Sequence, residues 1–320
     1  MRLINGTFKH SDSPAPPSNT SAKQRGIFYT PGTNRSLPGI MRRWISMLFA
    51  ERFRTNAPQA VSVMVAACGL ILLCTSGCSI RKIVLRRAAD ALSSEGGTVY
   101  SGEDDPELVR DALPFALKTH ESLLAQLPDN ENLLYATGMA YCTYAYAFIH
   151  LPADTMPDNR IAEKKRLLNR AKKLYLRARD YLLHAFELRH PDFRTLALEG
   201  SIDTAIAMCS TEDTSLLYWT AASWMGAFSA AKFDMNLAVG MQRPVALMQH
   251  LLTLNESYGK GSAHEFFISY YGSLPESMGG SEKKAREHYA RALELSANTK
   301  AGPYVSLASS VCISRQYTGE

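Results

Sequence analysis

From Asp105 onward the apolar residues recur every three or four positions, and the alternation of a strand is hard to find. The pattern predicts an all-α chain. Its clearest stretch lies between Pro157 and Pro191, where Leu167, Leu168, Ala171, Leu174, Tyr175, Ala178, Tyr181, Leu182, Ala185 and Phe186 form one stripe. Asp158 and Pro191 act as start and stop signals for that helix. The same spacing predicts helices over about 106–126, 131–150, 215–232, 245–255, 263–272, 282–296 and 303–315. Short connectors such as Leu127-Pro128-Asp129-Asn130 hold the helix breakers, so consecutive helices should fold into hairpins.

Some hairpins look alike. The second helix of a tetratricopeptide unit has a small residue, a large one four later, Ala three after that, and a Leu-x-Leu ending. Ala285, Tyr289, Ala292, Leu293 and Leu295 fit this order, as do Ala178, Leu182, Ala185, Phe186 and Leu188. Ala116, His120, Leu123 and Leu124 fit it more weakly. Small residues let neighbouring helices approach, and the large residue fills the gap between them. After Pro128, Leu134, Gly138 and Tyr141 have the spacing of a first-type helix. The copies begin 62 and then 107 residues apart, so the expectation is an irregular helical-hairpin solenoid with degenerate repeats over 104–320.

Ahead of this body the pattern changes. Residues 1–40 are rich in Ser, Thr, Asn, Pro and Gly without periodicity, and read as disordered or as an extension ahead of a start at Met41 or Met47. Residues 41–77 read as an export signal: Arg42, Arg43, Arg52 and Arg54, then an apolar run from Val61 to Leu73, then Thr75, Ser76 and Gly77 before Cys78. That ending resembles a bacterial lipobox, which implies a lipid anchor on Cys78. The position three before the cysteine is Thr75 where a lipobox usually has Leu. Cys68 also follows small residues, but cleavage there leaves too short an apolar run. The alternative is an uncleaved helix, because Thr55–Ile80 is free of charge for 26 residues and long enough to span a bilayer. Residues 78–103 then form a tether and a first helix.

Charge sharpens the division. The formal net charge of +5 is concentrated at the front, where residues 1–77 have nine Lys/Arg against two Asp/Glu. The remainder has 26 basic and 28 acidic residues, which gives no reason to expect a nucleic-acid partner. Arg160–Arg189 holds ten basic and three acidic residues, a solvated helix face before it is an anionic docking face. Cys142, Cys209 and Cys312 each stand alone in apolar surroundings and read as buried small hydrophobes rather than disulfide partners.

No catalytic, metal or cofactor motif is expected. His264-Glu265 opens like a zinc-protease motif, but the second histidine would fall where Ile268 stands. Gly259-Lys260-Gly261-Ser262 lacks the spacing of a phosphate-binding loop. Aromatic residues are more suggestive. With Leu134, Thr137, Gly138 and Tyr141 facing the partner helix, Tyr135, Met139, Cys142 and Tyr146 are left for a concave side, an apolar groove with hydroxyl tips. Trp219 and Trp224 are five apart, so one should pack inside and the other at a cleft or subunit contact. For any single aromatic, core packing is the competing reading.

Taken with the lipobox-like cysteine, several stretches resemble one family: DDPELVRDALPFALK (104–118), LYLRARDYLLHAFELRHP (174–191), LYWTAASW (217–224), HEFF (264–267) and AREHYARALELS (285–296). They are similar to the tetratricopeptide lipoprotein of spirochaetes associated with tripartite ATP-independent periplasmic (TRAP) transporters, the T component. The resemblance implies a helical lipoprotein that forms a homotrimer and docks a periplasmic solute-binding protein near its permease. It also implies a cleft or pore through each protomer that passes a hydrophobic or organic-anion ligand. It places the chain in the periplasm, tethered to the inner membrane through Cys78.

Overall fold

The computed structural model describes residues 102–313, with helical residues 62, 64–65, 83–87, 89–91 and 100 ahead of them. Cys78, the segment 1–40 and most of the export signal lie outside the described residues. The chain divides after Leu72, and the fold below is that of the second unit, Leu73–Glu320. Among the described residues there is no strand. Nor is any helix among them long and apolar enough to cross a membrane.

Eleven helices among the described residues carry the fold. Helix α1 is Pro106–Leu124, and α2 is Glu131–Ala145, prolonged by a π-turn at Tyr146–His150 and a last turn at Leu151–Asp154. The long α3 is Ile161–Arg189. Two short helices follow, α4 at Phe193–Leu198 and α5 at Ile202–Ile206. Then come α6 at Thr214–Ser229, α7 at Met235–Val239 and α8 at Gln242–Leu254. The last three are α9 at Ser262–Ser273, α10 at Glu282–Ser296 and α11 at Gly302–Leu307, which runs into a π-turn at Ala308–Cys312.

Local chemistry sets the boundaries. Asp105 Oδ1 accepts from the Glu107 and Leu108 amides at 2.9 and 3.1 Å, and Pro106 occupies the first turn, where its missing N–H costs nothing. Asn130 caps α2 through the Leu133 amide at 2.9 Å. Each such cap is worth about 1 kcal/mol. Helix α10 ends where Ala297 and Asn298 turn left-handed, at φ 49° and 57°.

The helices stack in sequence: α1 packs on α2, α2 on α3, α3 on α6, α6 on α8, α8 on α9, and α9 on α10 and α11. Ala178, Ala185, Ala285 and Ala292, the small residues of the sequence pattern, are all fully buried. On α2, Leu134, Thr137, Gly138 and Tyr141 are buried too. Where α6 crosses α3 the approach is also close: a Cβ on Gly226 would stand 2.6 Å from the Tyr175 ring. Two large core clusters result, and Tyr181 and Trp219 pack against both. A third, built on Ile268, Ala285, Ala292, Leu307 and Val311, holds the C-terminal hairpin.

Candidate ligand cleft

Residues 135, 139, 142 and 146 of α2 fall on one stripe because they are spaced four, three and four apart. Along it burial changes. Tyr135 and Met139 are half-buried, Cys142 is buried, and Tyr146, in the π-turn, is 54% exposed.

Tyr135 meets α6. Burial pushes its phenol up to about 12, the Tyr258 hydroxyl adds to the rise, and hydrogen bonding from Ser215 and Trp219 opposes it. Tyr218 completes this cluster, with its ring 5.3 Å from both Trp219 and Tyr258. Further along the stripe, burial pushes the Cys142 thiol up to about 12, so it stays protonated and is no nucleophile. Tyr175 of α3 is raised by burial and then by Cys142, Tyr146 and Asp154. Its hydroxyl lies 3.1 Å from His150 Nδ1, and His150 Nε2 lies 3.4 Å from Asp154.

Glu265 of α9 joins the two ends. Its charge raises the Tyr146 phenol, after burial and Asp154, and also the Tyr218 phenol, where burial acts first. Glu265 pairs with Lys300, whose ammonium donates to Ser262 Oγ at 3.0 Å and to the Gly259 carbonyl at 2.9 Å. Tyr146 is thus open to water over half its surface and yet partly stripped of hydration. Together these residues form an aromatic patch tipped with hydroxyls and edged by one ion pair, Glu265–Lys300.

The two indoles differ. Trp219 is half-buried and part of this aromatic patch. Trp224 is 4% exposed, in the core, with the Arg179 guanidinium 5.1 Å above its ring. The basic run of α3 is partly internal: Arg160, Lys172, Arg177, Arg179 and Arg189 pair with Glu163, Asp234, Glu121, Asp180 and Asp213. Tyr218, Tyr258, Glu265 and Lys300 complete the patch, with Tyr175 buried in the core behind it; the sequence marks Tyr175 as a stripe residue of α3 but does not assign any of the five to a ligand site.

The family model of the TRAP transporter T-component matches residues 102–318. The chain belongs to the TRAP transporter T-component family. A curated relative of this T-component, an uncharacterized protein of Treponema pallidum (strain Nichols), is 27% identical over 270 residues, covering 79% of this chain and 83% of the relative. Family membership associates the chain with a TRAP transporter.

Proposed function

We propose that this T-component is a non-enzymatic, membrane-anchored scaffold that docks a periplasmic TRAP-type solute-binding protein and shelters its ligand during hand-over. The ligand is hydrophobic or an organic anion with an apolar body. It lies along Tyr135, Met139, Tyr146 and Trp219, with Cys142 behind them. The lipid sits on Cys78, the helical domain works in the periplasm beside the inner membrane, and three copies assemble.

One observation carries the reading: the partly buried rings of Tyr135, Tyr218, Trp219 and Tyr258 gather at one edge of the core, and Tyr146, further along the same stripe, is 54% exposed. Family membership supplies the transport context.

Tryptophan fluorescence tests the ligand. A long-chain carboxylic acid should change the emission of the wild type and of Trp224→Phe but leave Trp219→Phe unresponsive. An equal response from all three proteins removes the cleft. Docking is tested by affinity capture with the T-component as bait: recovery of a TRAP solute-binding protein supports it. Recovery of envelope-assembly factors alone favours a general tetratricopeptide lipoprotein scaffold without a transport role. Mass spectrometry of Cys78→Ala should find no acyl chain, and persistent acylation would move the anchor elsewhere.

A further inference from the structure

Three segments without a shared motif converge where α3 ends and α6 begins. His190 follows the last turn of α3, Cys209 follows α5, and Asp213 stands in the 3-10 turn that leads into α6. One nitrogen, one sulfur and one carboxylate oxygen from these residues all lie within 4.8 Å of one another. His190 Nε2 is 3.0 Å from Asp213 Oδ2. Asp213 is 2% exposed, and the other two are half-buried.

We propose that His190, Cys209 and Asp213 form a binding site for a divalent transition metal of borderline softness, with zinc the best fit. The donor set decides the class. Imidazole nitrogen, thiolate and carboxylate together suit zinc, whereas a hard cation such as calcium or magnesium prefers oxygen alone. Metal bonds of about 2.0–2.3 Å put tetrahedral donors about 3.3–3.8 Å apart, so each donor here needs to move by about 1 Å or less.

The surroundings already behave as an outer shell. Arg189 Nη1 donates to Asp213 Oδ1 at 3.0 Å, and the Ser210 amide and hydroxyl donate to Oδ2 at 2.8 and 3.3 Å. These bonds fix the carboxylate as outer partners fix a metal ligand. The Cys209 thiol has only a weak contact to the Ala205 carbonyl at 3.8 Å, which metal binding can replace cheaply. Phe186 and Phe193 hold the His190 ring from the side, with centroids 6.4 and 6.3 Å away.

Binding balances in charge and protons. The Cys209 thiol releases its proton to solvent; the His190 Nε2 proton that faces Asp213 leaves too, and through solvent exchange the neutral imidazole carries its one proton on Nδ1 while Nε2 takes the metal. The dication is then neutralised by one thiolate and one carboxylate, and the fourth position is open to water. The metal ties the end of α3 and the end of α5 to the start of α6. It thereby braces the helix that carries Tyr218 and Trp219. This site does not depend on the reading of the cleft.

The test uses the full chain in detergent, stripped with a chelator and titrated with cobalt(II) as a spectroscopic stand-in for zinc. One equivalent should bind, with sulfur-to-cobalt charge-transfer absorption, and zinc should raise the melting temperature. Cys209→Ser should lose the absorption, and it and His190→Gln should each weaken zinc binding at least about tenfold. Cys142→Ser should keep both signals. Circular dichroism checks that each variant folds, and Cys209→Ser, nearly isosteric, keeps the test decisive if another variant does not. Absence of stoichiometric uptake, or uptake that survives Cys209→Ser, overturns the site and leaves Asp213 as a hydrogen-bonded hub alone.

Discussion

Gly138 of α2 lies so close to Leu182 of α3 that a Cβ on the glycine would stand 2.5 Å from the leucine Cγ. The Ala178 carbonyl oxygen would be 3.0 Å away on the same side. An added methyl therefore meets backbone as well as a branched side chain, and α2 must lift off α3. Overpacking of this kind costs about 1–3 kcal/mol, against a gain of about 1 kcal/mol in helix propensity for Ala over Gly. Gly138→Ala should destabilise by up to about 2 kcal/mol, and Gly138→Val by more. Urea denaturation measures both, and a stabilised Gly138→Ala would contradict the close approach.

Arg243 of α8 closes the end of α4. Its Nη1 donates to the carbonyls of Ala197 at 2.6 Å, Gly200 at 3.3 Å and Leu196 at 3.4 Å. Arg243→Met keeps the aliphatic stem and leaves these acceptors without their charged donor. The expected loss is about 2 kcal/mol, within the range for hydrogen bonds to charged groups. A thermal melt reads it, and an unchanged midpoint would mean that water replaces the guanidinium at no cost.

His288 of α10 makes stability depend on pH. Burial first, then the charges of His264 and Lys284, bring its pKa down from 6.5 to about 4. Its ring stacks on Phe267 and Tyr271, and its Nδ1 is 2.8 Å from His264 Nδ1, so the two nitrogens share one proton. His264 in turn meets Glu256 at 3.1 Å, and Glu256 is bound by Arg291 at 2.6 and 2.8 Å. Because the folded pKa is the lower one, the unfolded chain takes up the proton first. Stability is lost as pH falls from about 6.5 to about 4 and levels off below. The wild type should lose more stability than His288→Gln between pH 7 and pH 5, which is about 1.5 pH units into that window. Parallel denaturation curves at the two pH values would remove His288 from the account.

Cys142 is 5% exposed, with its thiol pushed up to about 12 by burial. The thiolate is the reactive form, so folded protein should resist iodoacetamide at this position while unfolded protein reacts. Peptide mass spectrometry follows it. Alkylation of native protein at the unfolded rate would show that the stripe opens at Cys142.

Long helices were readable in the sequence because a buried stripe has to repeat. Helix α10 begins and ends where its periodicity places it, 282–296, and α2, α6, α8 and α9 agree within a few residues apart from the π-turn. Helices α4, α5 and α7 escaped, because five or six residues are too few for a period to appear. The candidate cleft was readable on α2, where the residues left over from packing define a face, and on α6 through Trp219. Tyr258, Glu265 and Lys300 reach it through tertiary packing from far along the chain, and nothing in their local sequence reports where they end up. Five-residue spacing separated Trp219 from Trp224, but only the α3 contacts determine which of them is covered. His190, Cys209 and Asp213 have a spacing no motif uses, so they were invisible before the fold brought them together.

The π-turn at Tyr146–His150 amounts to one surplus residue inside α2. A regular helix would carry the stripe onward at about 100° per residue, and the surplus turns everything after it by about that angle. Without it His150 would swing around the axis away from Tyr175, while Tyr146, at the start of the turn, would keep its place. Deleting one residue within 146–150 should therefore leave a well-formed helix that presents the wrong side chains beyond that point. A relative lacking the surplus would align with a single gap there, and would meet Tyr175 with different atoms.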